Sequence, residues 1–356
     1  MKNIKTIFKK TFLAFVVNVC FFSCSKNEEE VQPLVENPPQ GIKTNIYVAG
    51  SESTPTMPHA VLWTNGVLKN LTDTTKPSGV FDVCAYGNDV YVVGVEAVSY
   101  QIGTAMLWKN NEKINLTTGL KSALAKSIAV NETGVYIVGE ENNGSTKTFI
   151  KLWKNGAATD LTDGTQWAEV NKVQVVGNDV YVLGSILHPT TLRSMITVWK
   201  NGASMPVTNG VKNCTASDFK VVGNDIYITG YELTTGIYAN KIWKNGVSTT
   251  LDAGSQFTSP LSLDINNNDV YVTGIFSNDT GTGTITKLWK NQQEIPFPLA
   301  PYTLINDITF FENKRYLLGS ENEGAIQKVF YYSNDNKTFL NETKRYYASA
   351  IFINKN

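Results

Sequence analysis

His59 and His188 are the only imidazoles in 356 residues, so they bound the acid–base chemistry this chain can do near neutral pH. His188 is followed by Arg193 and, one repeat further on, by Tyr238. Such a trio could cleave a uronate-containing polysaccharide by β-elimination. His188 would act as base, Arg193 would neutralise the uronate and Tyr238 would protonate the leaving oxygen. A loop histidine with no catalytic task is the plainer reading. Neither histidine has a partner at zinc-ligand spacing. No serine carries glycine two residues before and two after it, so the hydrolase nucleophile elbow is missing. A glycine-rich phosphate loop is missing too. Asp264-Ile265-Asn266-Asn267-Asn268 opens like a calcium loop but runs straight into a strand pattern, and reads as a turn. The expectation is a chain that is not an enzyme and uses no cofactor or metal.

What positions these residues is a repeat. Seven times a tyrosine in a β-branched run is followed three positions later by glycine: Tyr47/Gly50, Tyr91/Gly94, Tyr136/Gly139, Tyr181/Gly184, Tyr227/Gly230, Tyr271/Gly274 and Tyr316/Gly319. The steps between tyrosines are 44, 45, 45, 46, 44 and 45 residues. Trp63, Trp108, Trp153, Trp199, Trp243 and Trp289 keep the same beat, five of them followed by Lys-Asn, and the pair Tyr331-Tyr332 stands where a seventh is due. Asn65-Gly66, Asn155-Gly156, Asn201-Gly202 and Asn245-Gly246 supply the two positive-φ residues that a two-residue hairpin turn demands. One repeat thus reads as four strands, 126–130, 135–139, 149–153 and 158–161, with Gly-Asn-Asp turns such as Gly87 to Asp89 between the first two.

Four-stranded repeats of about 45 residues are the signature of a β-propeller, one blade per repeat. The fold class is therefore all-β, a seven-bladed propeller over 45–356. Asn45 to Gly50 is a second strand with no first before it, and Ala348 to Ile353 is a first strand with nothing after it. Joined, they make one blade and close the ring, which removes free strand edges. The repeated tryptophans are expected to be core, and the lysine after each a solvated strand end.

Ahead of the repeats, Lys2, Lys5, Lys9 and Lys10 precede an apolar stretch, Thr11 to Phe22, that is too short for an ordinary membrane span. Ser23-Cys24 ends it. The plan is a secretory signal over 1–23, and the small-residue-Cys junction resembles a lipoprotein signal, in which Cys24 is acylated and becomes the mature N-terminus. Phe21 and Phe22 depart from the usual aliphatic and small residues there. Residues 24–44, with Pro33, Pro38 and Pro39, read as a disordered tether. Ser25-Lys26-Asn27-Glu28-Glu29-Glu30 is similar to the acidic export tag of Bacteroidetes surface lipoproteins.

The whole chain carries 31 basic and 31 acidic residues; without 1–23 it carries 27 and 31, a net −4. That balance excludes the basic footprint of a nucleic-acid binder. Cys84 and Cys214 fall in blades two and five, too far apart to bridge.

Turns after the first and third strands are tight, whereas those after the second and fourth look long, and antiparallel order puts both long sets on one face. Loops there carry whatever function exists. That face is expected to hold Trp167, His188, Arg193, Tyr231, Tyr238, Tyr100 and Tyr302, with Phe257 and Tyr346. Aromatic rings with a few polar neighbours suit a sugar or a protein partner.

With its Tyr-Val-x-Gly and Leu-Trp-Lys-Asn-Gly repeats, 45–356 resembles the seven-bladed propeller lipoproteins of flavobacteria and other Bacteroidetes. It lacks the Gly-His and Trp-Asp marks of WD40 repeats and the Gly-Gly of kelch. The resemblance implies an outer-membrane lipoprotein exposed at the cell surface. The expected function is a non-enzymatic module that binds a glycan or protein; the alternatives are the uronate lyase and a purely architectural part of a surface complex.

Overall fold

The 45-residue repeat folds into seven four-stranded antiparallel sheets arranged as the blades of a propeller. The structure, a computed structural model, describes residues 43–355 apart from 74, 100–101, 145–146, 256–257, 278–283, 298–302 and 325. The expected signal, Cys24 and almost all of the tether lie outside the described residues, as do Tyr100, Phe257 and Tyr302.

Blade one holds β1 (Thr44–Ser53), β2 (Pro58–Thr64) and β3 (Val67–Asn70). Blade two is β4 (Ser78–Tyr86), β5 (Asp89–Ser99), β6 (Ile102–Lys109) and β7 (Glu112–Asn115). Blade three is β8 (Ala123–Asn131), β9 (Gly134–Asn142), β10 (Thr148–Lys154) and β11 (Ala157–Asp160). Blade four is β12 (Ala168–Val176), β13 (Asp179–Leu187), β14 (Ser194–Lys200) and β15 (Ala203–Pro206). Blade five is β16 (Asn213–Val222), β17 (Asp225–Thr234), β18 (Ile237–Lys244) and β19 (Val247–Ser255). Blade six is β20 (Thr258–Asn266), β21 (Asp269–Ser277), β22 (Thr284–Lys290) and β23 (Gln293–Ile295). Blade seven is β24 (Thr303–Phe311), β25 (Lys314–Glu323), β26 (Ile326–Ser333) and β27 (Asn336–Phe339). The last strand, β28 (Tyr346–Lys355), pairs antiparallel with β1 and supplies the missing inner strand of blade one, so the ring closes as the strand count requires.

Each marker of the repeat has a physical task. The tryptophans are buried between blades: Trp153 packs with Val93, Ala105 and Leu107 of blade two. Tyr332 takes the seventh place, opposite Leu317 as Trp289 is opposite Val272, with Phe297 and Phe330 edge-on at 5.0 and 5.4 Å. The turn asparagines do more than adopt positive φ, 52° at Asn65 and 50° at Asn155. Their side-chain oxygens accept the backbone N–H at the start of the second strand in all seven blades, as Asn110 does from Val90 at 2.9 Å and Asn245 from Ile226 at 2.9 Å. The lysine before each asparagine is not merely solvated. Lys109, Lys200, Lys244 and Lys290 lie over the repeat tyrosine and pair with the turn aspartate, as Lys109 does with Asp89 at 2.7 Å.

The repeat glycine answers to a β-bulge. All seven inner strands shift register at the same place, leaving Phe81, Lys126, Asn171, Ser217, Leu261, Asn306 and Ser349 unpaired beside it. The bulged backbone closes over the glycine: a Cβ on Gly139 would stand 2.0 Å from the carbonyl oxygen of Leu124, and one on Gly94 2.0 Å from that of Gly79. Because the obstacle is main chain, it cannot swing aside. Gly139→Ala should therefore lower stability by about 1–3 kcal/mol or more, the cost of overpacking, in urea or thermal unfolding. A neutral result would show that the bulge can relax.

Candidate functional site

The bulge also shapes the axis of the ring. The residue after it, 12 positions before the repeat glycine, is Asp82, Ser127, Lys172, Asp218, Ser262 and Asp307 in blades two to seven, and Ala350 takes that place in blade one. These side chains line a central channel that contains cavities of about 130 and 280 Å³. They tie each blade to the next. The backbone N–H of Ile128 donates to Asp82 Oδ2 at 3.0 Å, that of Val173 to Ser127 at 3.2 Å and that of Leu263 to Asp218 at 2.9 Å. Ile308 donates likewise to Ser262 at 3.3 Å and Ile351 to Asp307 at 3.1 Å. Lys172 cannot accept; it donates to Asp218 at 2.6 Å. Closer to the tight-turn face, Lys220 pairs with Asp264 at 2.8 Å, and Asp264 accepts the N–H of Phe310 at 2.8 Å. The expected turn at Asn267-Asn268 is present, and Asp264 belongs to the strand before it.

Two carboxyls of this ring, Asp82 and Asp307, and the ammonium of Lys172 are displaced from their ordinary titration. Lys172 is walled in by inner strands, yet 37 % of its side chain is accessible, because the axis admits water. Burial alone would pull its ammonium down, but Asp218, Asp307 and Asp82 hold it above its ordinary value. Burial pushes the Asp307 carboxyl up to about 6 against the pull of Lys172, and it raises Asp82 against the N–H of Ile128 and the charge of Lys172. Cys84, deeper in the channel wall, is pushed up to about 12 by burial and by Asp82, so its thiol is inert.

The loop-face candidates are not brought together. In blades two, five and seven only two residues separate the second strand from the third, as in the Thr235-Gly236 turn of blade five, contrary to the long loops expected there. Tyr231 and Tyr238 are consequently strand residues flanking a tight turn, their half-buried rings edge-on at 5.1 Å. Alternation along β17 puts Glu232 on the opposite side of the blade, together with Trp243, which packs toward blade four. Blade five thus stands between the tyrosine pair and His188. The side chain of His188 is committed to its own loop. Its Nδ1 accepts the N–H of Thr190 and of Thr191 at 3.2 Å each, and its ring leaves no room for a Cβ at Gly210, where φ is +68°. Arg193 donates to the carbonyl of Val211. As base, neutraliser and acid of one elimination, His188, Arg193 and Tyr238 would have to converge, and they do not. Tyr346 is buried against Trp63 at 5.2 Å and donates to Glu52 at 3.4 Å, so it belongs to the core instead of the loop face.

Trp167 remains exposed, at 37 %, on the loop between blades three and four. Four aliphatic side chains are also exposed at the loops, Leu192 (69 %) and Val211 (58 %) on blade four and Leu120 (82 %) and Val98 (55 %) on blade two. A groove of about 690 Å³ lies between blades four and five, lined by His188, Pro206, Lys212, Cys214, Glu232 and Trp243, with Lys212 and Glu232 paired at 2.6 Å. Burial and the neighbouring Glu232 raise the Cys214 thiol.

No family model matches the chain, and no curated protein matches its sequence. Solved structures do share its fold. A puromycin-hydrolyzing peptidase of Mycobacterium tuberculosis is similar at 9 % identity and a TM-score of 0.56, over 84 % of this chain and 53 % of the peptidase. The acylaminoacyl peptidase of Pyrococcus horikoshii is similar at 14 % identity and a TM-score of 0.54, over 84 % of this chain and 50 % of that one. An acylaminoacyl peptidase in complex with a chloromethyl ketone is similar at the same identity and TM-score, over 51 % of its length. The chain spans about half the length of these structures. Their likeness shows a common fold, and it corrects the expectation that this chain is not an enzyme: a propeller of this build is one that peptidases carry, so the fold gives no ground for the exclusion.

Trp153 and Trp167 separate packing from exposure. Trp153→Ala should cost about 3–5 kcal/mol of stability, the range for emptying a large aromatic from a packed core. Trp167→Ala should leave the thermal midpoint close to that of the parent. Equal destabilisation by the two, measured by calorimetry, would show that Trp167 is a packing residue.

Proposed function

We propose that the chain is a recognition module whose long-loop face binds a protein partner. The observation that carries this reading is the exposure of Leu192, Val211, Leu120 and Val98 at the loops of that face, with Trp167 on the same face. Exposed aliphatic side chains find complementary burial on a protein surface, whereas sugars prefer aromatic platforms edged by polar groups. A glycan is the second reading, favoured by the edge-on Tyr231–Tyr238 pair. The peptidase likeness contributes the fold and assigns no catalytic residue here.

Leu192→Asp and Leu120→Asp should leave the thermal midpoint nearly unchanged and weaken capture of a protein partner at least tenfold, about 1.4 kcal/mol, as loss of a central apolar contact does. Crosslinking on cells followed by affinity measurement with the captured protein tests this. Unchanged affinity in both variants, or a glycan captured through Tyr238, sinks the protein reading.

The module is proposed to be held at the outer membrane by acylated Cys24, on the strength of the basic start, the apolar stretch to Phe22 and the Ser23-Cys24 junction. Cys24→Ser should move the protein from the membrane fraction to the soluble fraction with its fold unchanged. Retention in the membrane fraction would remove the lipid anchor from the proposal.

A further inference from the structure

Around the channel, one serine serves two carboxylates. Ser262 Oγ lies 2.7 Å from Asp307 Oδ1 and 3.1 Å from Asp218 Oδ2, and it accepts the N–H of Ile308 at 3.3 Å. A hydroxyl has one proton to donate. It cannot serve two ionised carboxylates at these distances, so one of them must bring a proton of its own. Asp218 is held as the anion: Lys172 donates to its Oδ1 at 2.6 Å, the N–H of Phe219 to the same oxygen at 2.7 Å, and the N–H of Leu263 to Oδ2 at 2.9 Å. Asp307 has the N–H of Ile351 at 3.1 Å on Oδ2 and, among the described residues, no ion pair within 4.0 Å.

We propose that Asp307 carries a proton which completes the chain Asp307 to Ser262 to Asp218 across blades seven, six and five, and that losing this proton as the medium turns from mildly acidic to alkaline loosens the ring there. With the proton in place, Asp307 donates to Ser262, Ser262 donates to Asp218, and the remaining lone pair of Ser262 takes the N–H of Ile308. Every group is then satisfied. Without it, Asp307 and Asp218 face Ser262 as two anions, one of which repels the hydroxyl oxygen.

The surroundings agree. The charged groups facing Asp307 from the other inner strands are Asp218 and Lys172, with Asp82 and Lys126 also lining the upper cavity and Asp264 and Lys220 lining the lower one. Its sheet partner β25 sets Leu318 opposite Asp307, with Arg315 and Glu321 three residues away on either side. On β28 the flanking ring position is Ala350, which offers neither charge nor hydrogen bond. Burial raises the Asp307 carboxyl to about 6 even though Lys172 opposes it. Between the ordinary carboxylate value and about 6 the folded chain holds a proton that the unfolded chain has released. The contribution of Asp307 to stability is therefore fullest below that window and is lost as pH rises through it.

The proposal stands apart from the loop-face reading. Its test is the pH dependence of unfolding of the full chain and of Asp307→Asn, whose amide keeps a donor for Ser262 and an acceptor for Ile351. The unfolding constant of the parent should rise relative to that of Asp307→Asn by up to about a hundredfold between roughly pH 4 and pH 7.5. If Asp307→Asn does not fold, the infrared carbonyl band of a protonated carboxylic acid decides in the parent alone. It should be present near pH 5, lost near pH 8, and displaced by Ser262→Ala. A pH-independent difference between parent and Asp307→Asn, or no protonated carboxyl near pH 5, overturns the proposal.

Discussion

The close approach of a bulged inner strand to a glycine is the constraint on which the rest of this propeller depends. Gly139 and Gly94 admit no Cβ because a main-chain oxygen occupies its place. That approach fixes the bulge at one height in every blade, and the bulge fixes which side chain reaches the axis. Without it, period-two alternation would carry a different set of residues to the channel. One steric fact therefore links the most visible mark in the sequence, Tyr-Val-x-Gly, to the least visible one, a polar ring 12 residues upstream.

The ring is an unusual choice for the centre of a β protein. Burying carboxylates costs free energy that apolar packing would not, and a buried ion pair such as Lys172–Asp218 is weak evidence for stability by itself. What this arrangement offers is direction. Apolar inner strands could slide past one another, whereas an acceptor at Asp82, Ser127, Asp218, Ser262 and Asp307 must meet one particular N–H of the next blade. Tryptophans such as Trp153 supply burial between blades, and the axial hydrogen bonds set the blades' relative height.

The architecture was legible in the sequence because repetition multiplies weak signals. One Asn-Gly or one Trp-Lys decides little, but four of the first and five of the second, in step with seven Tyr-x-x-Gly marks, decide strand order, turn type, blade count and the joining of Ala348 to Ile353 with Asn45. The lysines after each tryptophan were misread as solvated because their partners, Tyr91 and Asp89 for Lys109, come from a neighbouring strand that only the register reveals. The axial ring was missed for another reason. Asp82, Ser127, Lys172, Asp218, Ser262 and Asp307 share a position but not a residue type, and a search for identity passes over them. A search for polarity at a fixed offset from the repeat glycine would have found them. The loop-face candidates failed to assemble because that reading ignored the faces of the strands. Tyr231 and Glu232 are neighbours in sequence and lie on opposite sides of one blade.

Asymmetry is what a site in a repeat protein requires, and here it arises in two different ways. On the loop face it comes from insertion: the β13–β14 loop is long enough to fold His188 and Arg193 into its own support and to push Leu192 outward, while the equivalent turn in blade five has two residues. At the axis no insertion is possible, since the bulge and the glycine hold every blade to one geometry, and asymmetry comes from substitution alone. Acid, hydroxyl, ammonium and methyl alternate at one position. Insertion can build a surface for a large partner but leaves the ring indifferent to it. Substitution at the axis alters the contacts that hold blades together, so whatever is sensed there, a proton included, is felt by the closure of the whole ring.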